Sequence, residues 1–310
     1  MMNGGFAATP LGARLRLVRF SNVFSPVADV LCGVAVARAS ILGNPIEPGP
    51  PIDVARVTLA ILASLAIYQA GMILNDVADR EDDTKTRPDR PIPSGKVSVR
   101  EAVLLGAFLT MFALAASYFA NNWQIVAPLA AVVLLYDFVT KRGSLLGPLL
   151  LGAARSLNFL AGVVAGDYAS KFPVYPPAFG ASHDEIYAIA YGYGFYICGI
   201  SIFAIQEDRP FSRIRTAIAA LVSIGGLLLA FDSEFLLPLL WIPLIEPISV
   251  AFARGPFDAA RIGMMVGAGL RSTLVFHAIV AISVGSPGTA AFCGIGYIGA
   301  RILARWIPPN

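Results

Sequence analysis

The sequence contains few of the residues that build soluble metal or redox centres. It has three cysteines, Cys32, Cys198 and Cys293, and each lies alone in an apolar segment without disulfide or metal-site spacing. The two histidines, His183 and His277, are equally isolated. No zinc or haem centre is therefore implied, and the cysteines are expected to be small packing residues.

Charge is also scarce, because 14% of the residues are charged whereas 56% are hydrophobic. With a mean hydropathy of +0.70, this composition excludes an ordinary soluble globular protein. Apolar runs recur along the whole chain, each near the length that crosses ~30 Å of hydrocarbon, and they predict a polytopic helical membrane protein. The runs lie near residues 22–43, 53–76, 99–119, 121–140, 144–166, 184–206, 212–231, 233–252, 258–284 and 287–306.

Lysine and arginine concentrate in every second loop between these runs. The loops that contain Lys85, Lys141 and Arg213 are therefore predicted to be cytoplasmic, and the loop at Lys171 to lie on the other side. Ten spans would place Arg301 on the cytoplasmic side, whereas nine would place it outside. The positive-inside rule therefore favours ten spans, or nine plus a half-embedded helix. The expected location is the inner (cytoplasmic) membrane, with the active site opening to the cytoplasmic side.

The first apolar run imitates a secretory signal, because Arg14–Arg19 precede it and Ala37-Arg38-Ala39 follows. Asp29 and Pro26 within the run, and the many later runs, favour a retained first helix. The net charge of +3 reflects the basic residues that flank the spans and indicates no nucleic-acid partner.

An acidic cluster closes the second span. If residues 75–83 form one helix, its polar side chains share a face about 120° wide: Asn75, Asp76, Asp79, Asp82 and Asp83. Carboxylates are costly in a membrane segment and are usually functional where they occur. Hard oxygen ligands without a nearby His or Cys suit Mg²⁺, whose shell substrate phosphates and waters can complete.

A proline-rich loop follows and brings Arg87, Arg90 and Lys96 close to the carboxylates. Ser98 and Glu101 then form a capping-box pattern that begins the third span. These cations either neutralise the acids or clamp a phosphorylated ligand, since arginine is suited to bidentate phosphate contacts.

The motif Asn75-Asp76-x-x-Asp79-x-x-x-Asp83, followed by Arg90-Pro91-Ile92-Pro93-Ser94-Gly95, resembles the first signature of the UbiA superfamily of intramembrane prenyltransferases. Arg19-Phe20-Ser21-Asn22, and Tyr136 with Lys141, are two smaller matches. The resemblance implies an all-α bundle of nine to ten transmembrane helices around a central cavity, formed by residues 1–310 as a single domain. It also implies that Mg²⁺ holds an isoprenoid diphosphate, from which a prenyl group passes to an acceptor within the lipid bilayer.

The expected second acidic motif is reduced to Ile205-Gln206-Glu207-Asp208. Together with the segment from Gly152 to Asn158, this departure is more similar to the divergent EboC-like branch. It puts catalytic competence, but not the family, in question.

Site roles follow from the resemblance and from the charge chemistry of an ionising diphosphate. The predicted metal ligands are Asn75, Asp79, Asp83, Glu207 and Asp208. The predicted catalytic residues are Asp76, Asp79, Asp83 and Lys141. The predicted substrate-binding residues are Asn22, Tyr68, Met72, Arg87, Arg90, Tyr136, Arg155 and Asn158. Arg155 interrupts a membrane segment, so it should face either the cavity or a fixed acidic partner.

Two alternatives remain beside Mg²⁺-dependent prenyl transfer to an aromatic or other small hydrophobic acceptor. One is a non-catalytic lipid-binding or isoprenoid-transport protein on the same scaffold. The other, a CDP-alcohol phosphotransferase, ranks last because its Asp-Gly and Ala-Arg spacing is absent.

Overall fold

The computed structural model describes residues 9–42, 51–140, 144, 146–166, 183–207, 210–231, 239, 241–253 and 258–306. Within these ranges the chain is helical and contains no strand. The α-helices are α1 (Pro10–Leu17), α2 (Phe24–Leu42), α3 (Val54–Ala78), α4 (Arg80–Thr86), α5 (Val99–Phe119), α6 (Trp123–Val139), α7 (Leu146–Gly166), α8 (His183–Ala204), α9 (Arg213–Ala230), α10 (Ile242–Ala251), α11 (Ala259–Ser283) and α12 (Pro287–Trp306). Short 3₁₀ helices at Phe20–Asn22 and Ile205–Glu207 precede α2 and follow α8.

Seven helical segments in the described part of the chain are long and apolar enough to cross a membrane. Each of the predicted apolar runs contains one helix, so the all-α polytopic bundle is confirmed. α6 and α10 are shorter than the runs that predicted them. With 10 residues, α10 rises only about 15 Å, roughly half the hydrocarbon thickness.

Polar residues in the sequence set several helix starts. Asp53 Oδ1 accepts a hydrogen bond from the Arg56 N–H at 3.0 Å and begins α3. Ser98 Oγ accepts from the Glu101 N–H at 3.1 Å and begins α5, as its capping-box pattern predicts.

The expected single helical face from Asn75 to Asp83 is interrupted. α3 ends at Ala78 and α4 begins at Arg80, with Asp79 between them at φ −85° and ψ 0°. The Asp79 N–H donates to the Asn75 carbonyl and the Asp83 N–H to the Asp79 carbonyl, each at 2.9 Å, so helical hydrogen bonds flank the break on both sides. The acidic residues are therefore divided between two helices.

Helices α2 and α7 approach each other closely because each presents a glycine to the other. A Cβ on Gly33 would lie 2.2 Å from the Phe159 carbonyl oxygen, and one on Gly162 would lie 2.3 Å from the Val30 carbonyl oxygen. Backbones can come this close only without side chains at these positions. The contact brings the middle of α2 against the middle of α7, where a polar cluster lies.

Candidate functional site

A partly open cavity of about 70 Å³ lies between α3, α6 and α7. Its walls are mostly apolar, and five of the predicted substrate-binding residues lie on them: Tyr68, Met72, Tyr136, Arg155 and Asn158. Tyr68 and Met72 share this wall because they are about one turn apart on α3. The other lining residues are Ser64, Ile67, Gly71, Leu129, Val133, Asp137, Leu150, Leu151 and Ala154.

One end of this cavity adjoins the acidic end of α3. Asp76 is 2% exposed, and Arg19 Nη2 and Arg90 Nη1 lie 3.6 and 3.5 Å from its Oδ1. Both contacts exceed ordinary hydrogen-bond length, so the two arginines balance the charge of Asp76 without bonding its oxygens directly.

Asp83 has a closer partner. Arg90 Nη1 donates to Asp83 Oδ2 at 2.5 Å, and both side chains are buried. The proline-rich loop therefore folds back so that Arg90 reaches the acid of α4. The diphosphate-binding role of Arg90 and the metal-binding role of Asp83 stay predictions, and in this structure the two groups neutralise each other.

The remaining predicted residues are more dispersed. Asn22 ends the first 3₁₀ helix and is half-buried, as are Asn75, Asp79 and Arg87 near the α3–α4 junction. Lys141 and Asp208 lie outside the described residues.

Glu207 lies in the second 3₁₀ helix beside α11. Its Cδ is 3.8 Å from the position of a Cβ on Gly263, and the described residues that line the cavity do not include it. The adjacent Gln206 is 1% exposed; its Oε1 accepts from the Ser212 N–H at 2.7 Å, and its Nε2 donates to Thr216 Oγ1 at 3.2 Å. The described part of the reduced second motif thus organises a loop.

A second polar region lies farther along the helix bundle, near the level of Ser64 on α3. Ser64 is about 17 Å from Asn75 along the axis of α3, at the rise of an α-helix. Arg155 Nη1 is 3.0 Å from Asp29 Oδ2, and Arg155 Nη2 donates to Ser25 Oγ. Asn158 Nδ2 donates to the same Asp29 oxygen at 2.8 Å. The structure thus gives Arg155 the fixed acidic partner expected of a structural role and also places it on the cavity wall.

Two further side chains complete the surroundings of Asp29, which is fully buried. Tyr193 donates its hydroxyl to Asp29 Oδ1 at 2.8 Å, and His277 Nε2 is 3.4 Å from the same oxygen. His277 Nδ1 lies 2.7 Å from the Thr273 carbonyl oxygen and therefore carries a proton. Helices α2, α7, α8 and α11 meet at this one carboxylate.

No site role was predicted from the sequence for Asp29, Tyr193, His277 or Asp137. An available signal was Asp29 itself, because an acid within an apolar run needs a partner and Arg155 needs one too. His277 gave no such signal, since its nearness to Asp29 depends on how α11 packs against α2.

The donor set can be tested for its fit to a hard cation. Among the described residues, no group of three or more His, Cys, Asp or Glu side chains is arranged to hold a metal ion by itself. Both carboxylate oxygens of Asp76 and the Oδ2 of Asp137 are nevertheless buried without a hydrogen-bond partner in the described region. Such oxygens suit Mg²⁺, which takes one or two carboxylates and completes its shell with phosphates and waters.

Together these features define a helical membrane protein with an apolar cavity and a set of buried acids and arginines at one end. That arrangement suits an amphiphile whose head group is anionic and whose tail is hydrocarbon. Residues 39–213 match the UbiA prenyltransferase family, and the chain belongs to this family.

Two curated relatives are similar over part of their length. Digeranylgeranylglyceryl phosphate synthase of Metallosphaera sedula is 36% identical over 162 residues, which cover 51% of this chain and 54% of that protein. The 4-hydroxybenzoate octaprenyltransferase of a Polaromonas species is 39% identical over 106 residues, covering 33% and 37%. The chain spans about half the length of the first curated relatives it matches.

A solved structure supports the fold over nearly the whole chain. The UbiA homologue from Archaeoglobus fulgidus bound to DMAPP and Mg²⁺ superposes with a TM-score of 0.50 at 14% identity, covering 94% of this chain and 99% of that one. The assignment to the EboC-like branch stays a prediction.

Proposed function

We propose that this protein transfers a prenyl group from an isoprenoid diphosphate to a small hydrophobic acceptor within the membrane, in a reaction that requires Mg²⁺. The observation that carries the proposal is an apolar cavity that adjoins buried carboxylates with unsatisfied oxygens. The relatives named above are prenyltransferases or prenyl-lipid synthases by name, and the Archaeoglobus homologue was solved with a C5 diphosphate and Mg²⁺.

Asn75 and Asp79 would hold the cation, with Asp76 beside them on the last turn of α3. Asp83 would join them only where Arg90 releases it, and Glu207 and Asp208 are the proposed ligands of a second ion. When bound, Mg²⁺ would supply positive charge that stabilises the departing pyrophosphate.

The arginines at this end of the cavity would also supply positive charge to the diphosphate. Arg19 and Arg90 already lie next to Asp76, so a phosphate oxygen that approached the acids would meet two guanidinium groups. Lys141 and Arg87 are the further cations proposed to contact diphosphate. Arg19 and Arg90 are held in place before the ligand arrives, which lowers the reorganisation needed during ionisation.

The apolar wall has two roles in this scheme. It accommodates the hydrocarbon tail, and it excludes water that would otherwise capture an allylic cation. Tyr68, Met72 and Tyr136 lie on the wall, and the aromatic rings can shelter positive charge on the departing prenyl group. The wall therefore favours transfer to a bound acceptor over hydrolysis.

We extend the proposal to the whole chain and its orientation. Residues 1–310 would act as one domain, because Asp29 of α2 contacts Arg155 of α7 and His277 of α11, which come from distant parts of the chain. The acidic end would open to the cytoplasmic side of the inner membrane, as the lysine and arginine distribution predicts.

The proposal is tested with purified full-length protein and a panel of isoprenoid diphosphates of increasing chain length. Pyrophosphate release that requires Mg²⁺ and stops with EDTA is expected, together with an allylic product when candidate aromatic or glycerol-phosphate acceptors are added. A diphosphate that binds and is recovered unchanged with every acceptor would favour the alternative of a non-catalytic binding or transport protein. That alternative draws support from Glu207, which lies against α11 rather than on the cavity wall.

A further inference from the structure

Asp137 is a buried carboxylate that belongs to neither of the two acidic motifs. It lies near the end of α6, is 7% exposed and lines the cavity. Its Oδ2 has no hydrogen-bond partner in the part of the chain that the structure describes.

A buried carboxylate oxygen without a partner is costly, and a neutral side chain of the same size would avoid that cost. The Asn75 side chain is hydrogen-bonded to the Asp137 carboxylate, and the charges that act on Asp137 are those of Asp79, Arg19 and Asp76. Arg19 is the one cation in that set, and it lies 3.6 Å from Asp76, which shares its charge. Among the described residues, two carboxylates and one cation therefore surround Asp137.

The position of Asp137 relative to α3 is well defined. Its Oδ2 lies 4.0 Å from where a Cβ on Gly71 would be, so the carboxylate rests against the bare backbone of α3. Gly71 and Asn75 lie four residues apart on one face of α3, about 6 Å along its axis, and Asp79 follows the end of that helix. Asp137 thus offers an oxygen from the opposite helix to the row that contains Asn75 and Asp79.

Of the second acidic motif, Glu207 lies beside Gly263 of α11. We infer that Asp137 is a ligand of the divalent cation that accompanies the diphosphate, held between α3 and α6 and taking a place that a fuller second motif would supply. The inference rests on the proposed function and specifies its metal site.

Direct measurement of cation binding tests this assignment without any turnover. Mn²⁺, followed by electron paramagnetic resonance, is titrated into the full-length protein in detergent with inorganic pyrophosphate present. Asp137→Asn is expected to weaken Mn²⁺ binding about tenfold or more, the scale found when a group that supports a metal site is removed. Its thermal midpoint should be unchanged or higher, because an unsatisfied buried charge is removed.

Glu81→Gln is the matched control. It removes one negative charge from the same end of the protein, but Glu81 is 83% exposed on α4, so Mn²⁺ affinity should stay within twofold of wild type. If Asp137→Asn fails to fold, Asp137→Ser provides the same loss of ligand in a smaller side chain.

Lys141, four residues after Asp137, provides the competing explanation of a simple ion pair. In that case Asp137→Asn would change pyrophosphate affinity by the same factor with and without metal, and the assignment would be overturned. A loss confined to the metal-containing titration supports it. Wild-type protein that binds neither Mn²⁺ nor pyrophosphate would remove both this inference and the proposed function, whereas normal Mn²⁺ binding by Asp137→Asn in an active transferase removes this inference alone.

Discussion

Arg155 and Asp29 form an ion pair in the middle of two membrane helices, with Nη1 of the arginine 3.0 Å from Oδ2 of the acid. Asp29 is fully buried and Arg155 is 8% exposed, on the cavity wall. The acid thereby fixes a guanidinium on the cavity wall, away from the acidic end of α3.

Breaking this pair on one side should be strongly destabilising. Arg155→Gln or Asp29→Asn leaves one uncompensated buried charge, which typically costs about 3–5 kcal/mol. The double variant should recover part of the loss, and thermal unfolding in a double-mutant cycle measures the coupling. Additive losses would show that the two charges do not stabilise each other.

The same Arg155→Gln variant also tests a binding role for the guanidinium. If Arg155 contacts an anionic group of donor or acceptor, geranyl diphosphate or acceptor affinity should fall selectively in the protein that remains folded. A stability loss with unaltered affinity would remove Arg155 from the site and leave it as the partner of Asp29.

Asp79→Ala should abolish Mg²⁺-dependent diphosphate binding while membrane insertion stays intact. Asp79 joins α3 to α4 and is half-buried, so its truncation removes a proposed ligand without opening the core. Calorimetric titration of geranyl diphosphate with and without Mg²⁺ measures the effect, and Glu81→Ala is the exposed control. Wild-type affinity in Asp79→Ala would contradict the proposed metal site.

Arg90→Ala should lower stability more than Arg14→Ala. Arg90 is 5% exposed and pairs with fully buried Asp83, whereas Arg14 pairs with Glu101 at an exposed site, 2.9 Å away. Exposed pairs typically contribute about 0–1 kcal/mol, while an unpartnered buried acid costs several times more. Thermal midpoints of the two variants provide the comparison, and equal shifts would show that Asp83 does not depend on Arg90.

Topology can be checked by cysteine labelling from each side of the membrane. Lys85→Cys and Arg213→Cys should react with an impermeant reagent from the cytoplasmic side, and Lys171→Cys from the opposite side. The native Cys32, Cys198 and Cys293 are buried, which keeps background labelling low. Labelling of positions 85 and 171 from one side would refute the predicted orientation.

The sequence predicted the architecture well because membrane insertion depends on local properties. Length and hydropathy of each apolar run are enough to specify a spanning helix, and each predicted run contains one. The motif that starts at Asn75 pointed to the family for a similar reason, since its residues are close together along the chain.

Prediction was weaker where contacts join distant segments. Helical periodicity alone predicted one continuous face for the acids from Asn75 to Asp83, whereas α3 ends at Ala78 and Arg90 folds back to pair with Asp83. Asp137 and Glu207 could not be placed relative to the cavity from the sequence, because their positions depend on the rotation of α6 and on how α11 packs beside the second 3₁₀ helix.

The sequence by itself determined that this protein is a polytopic helical membrane protein of the UbiA type, with its acids next to a basic loop. Only the tertiary structure decided which acid meets which cation. The pair of Asp29 with Arg155 spans 126 positions of chain, and it exists because Gly33 and Gly162 let α2 and α7 approach within backbone contact. Hydropathy fixes which segments enter the membrane, whereas helix packing fixes which of their polar side chains face one another.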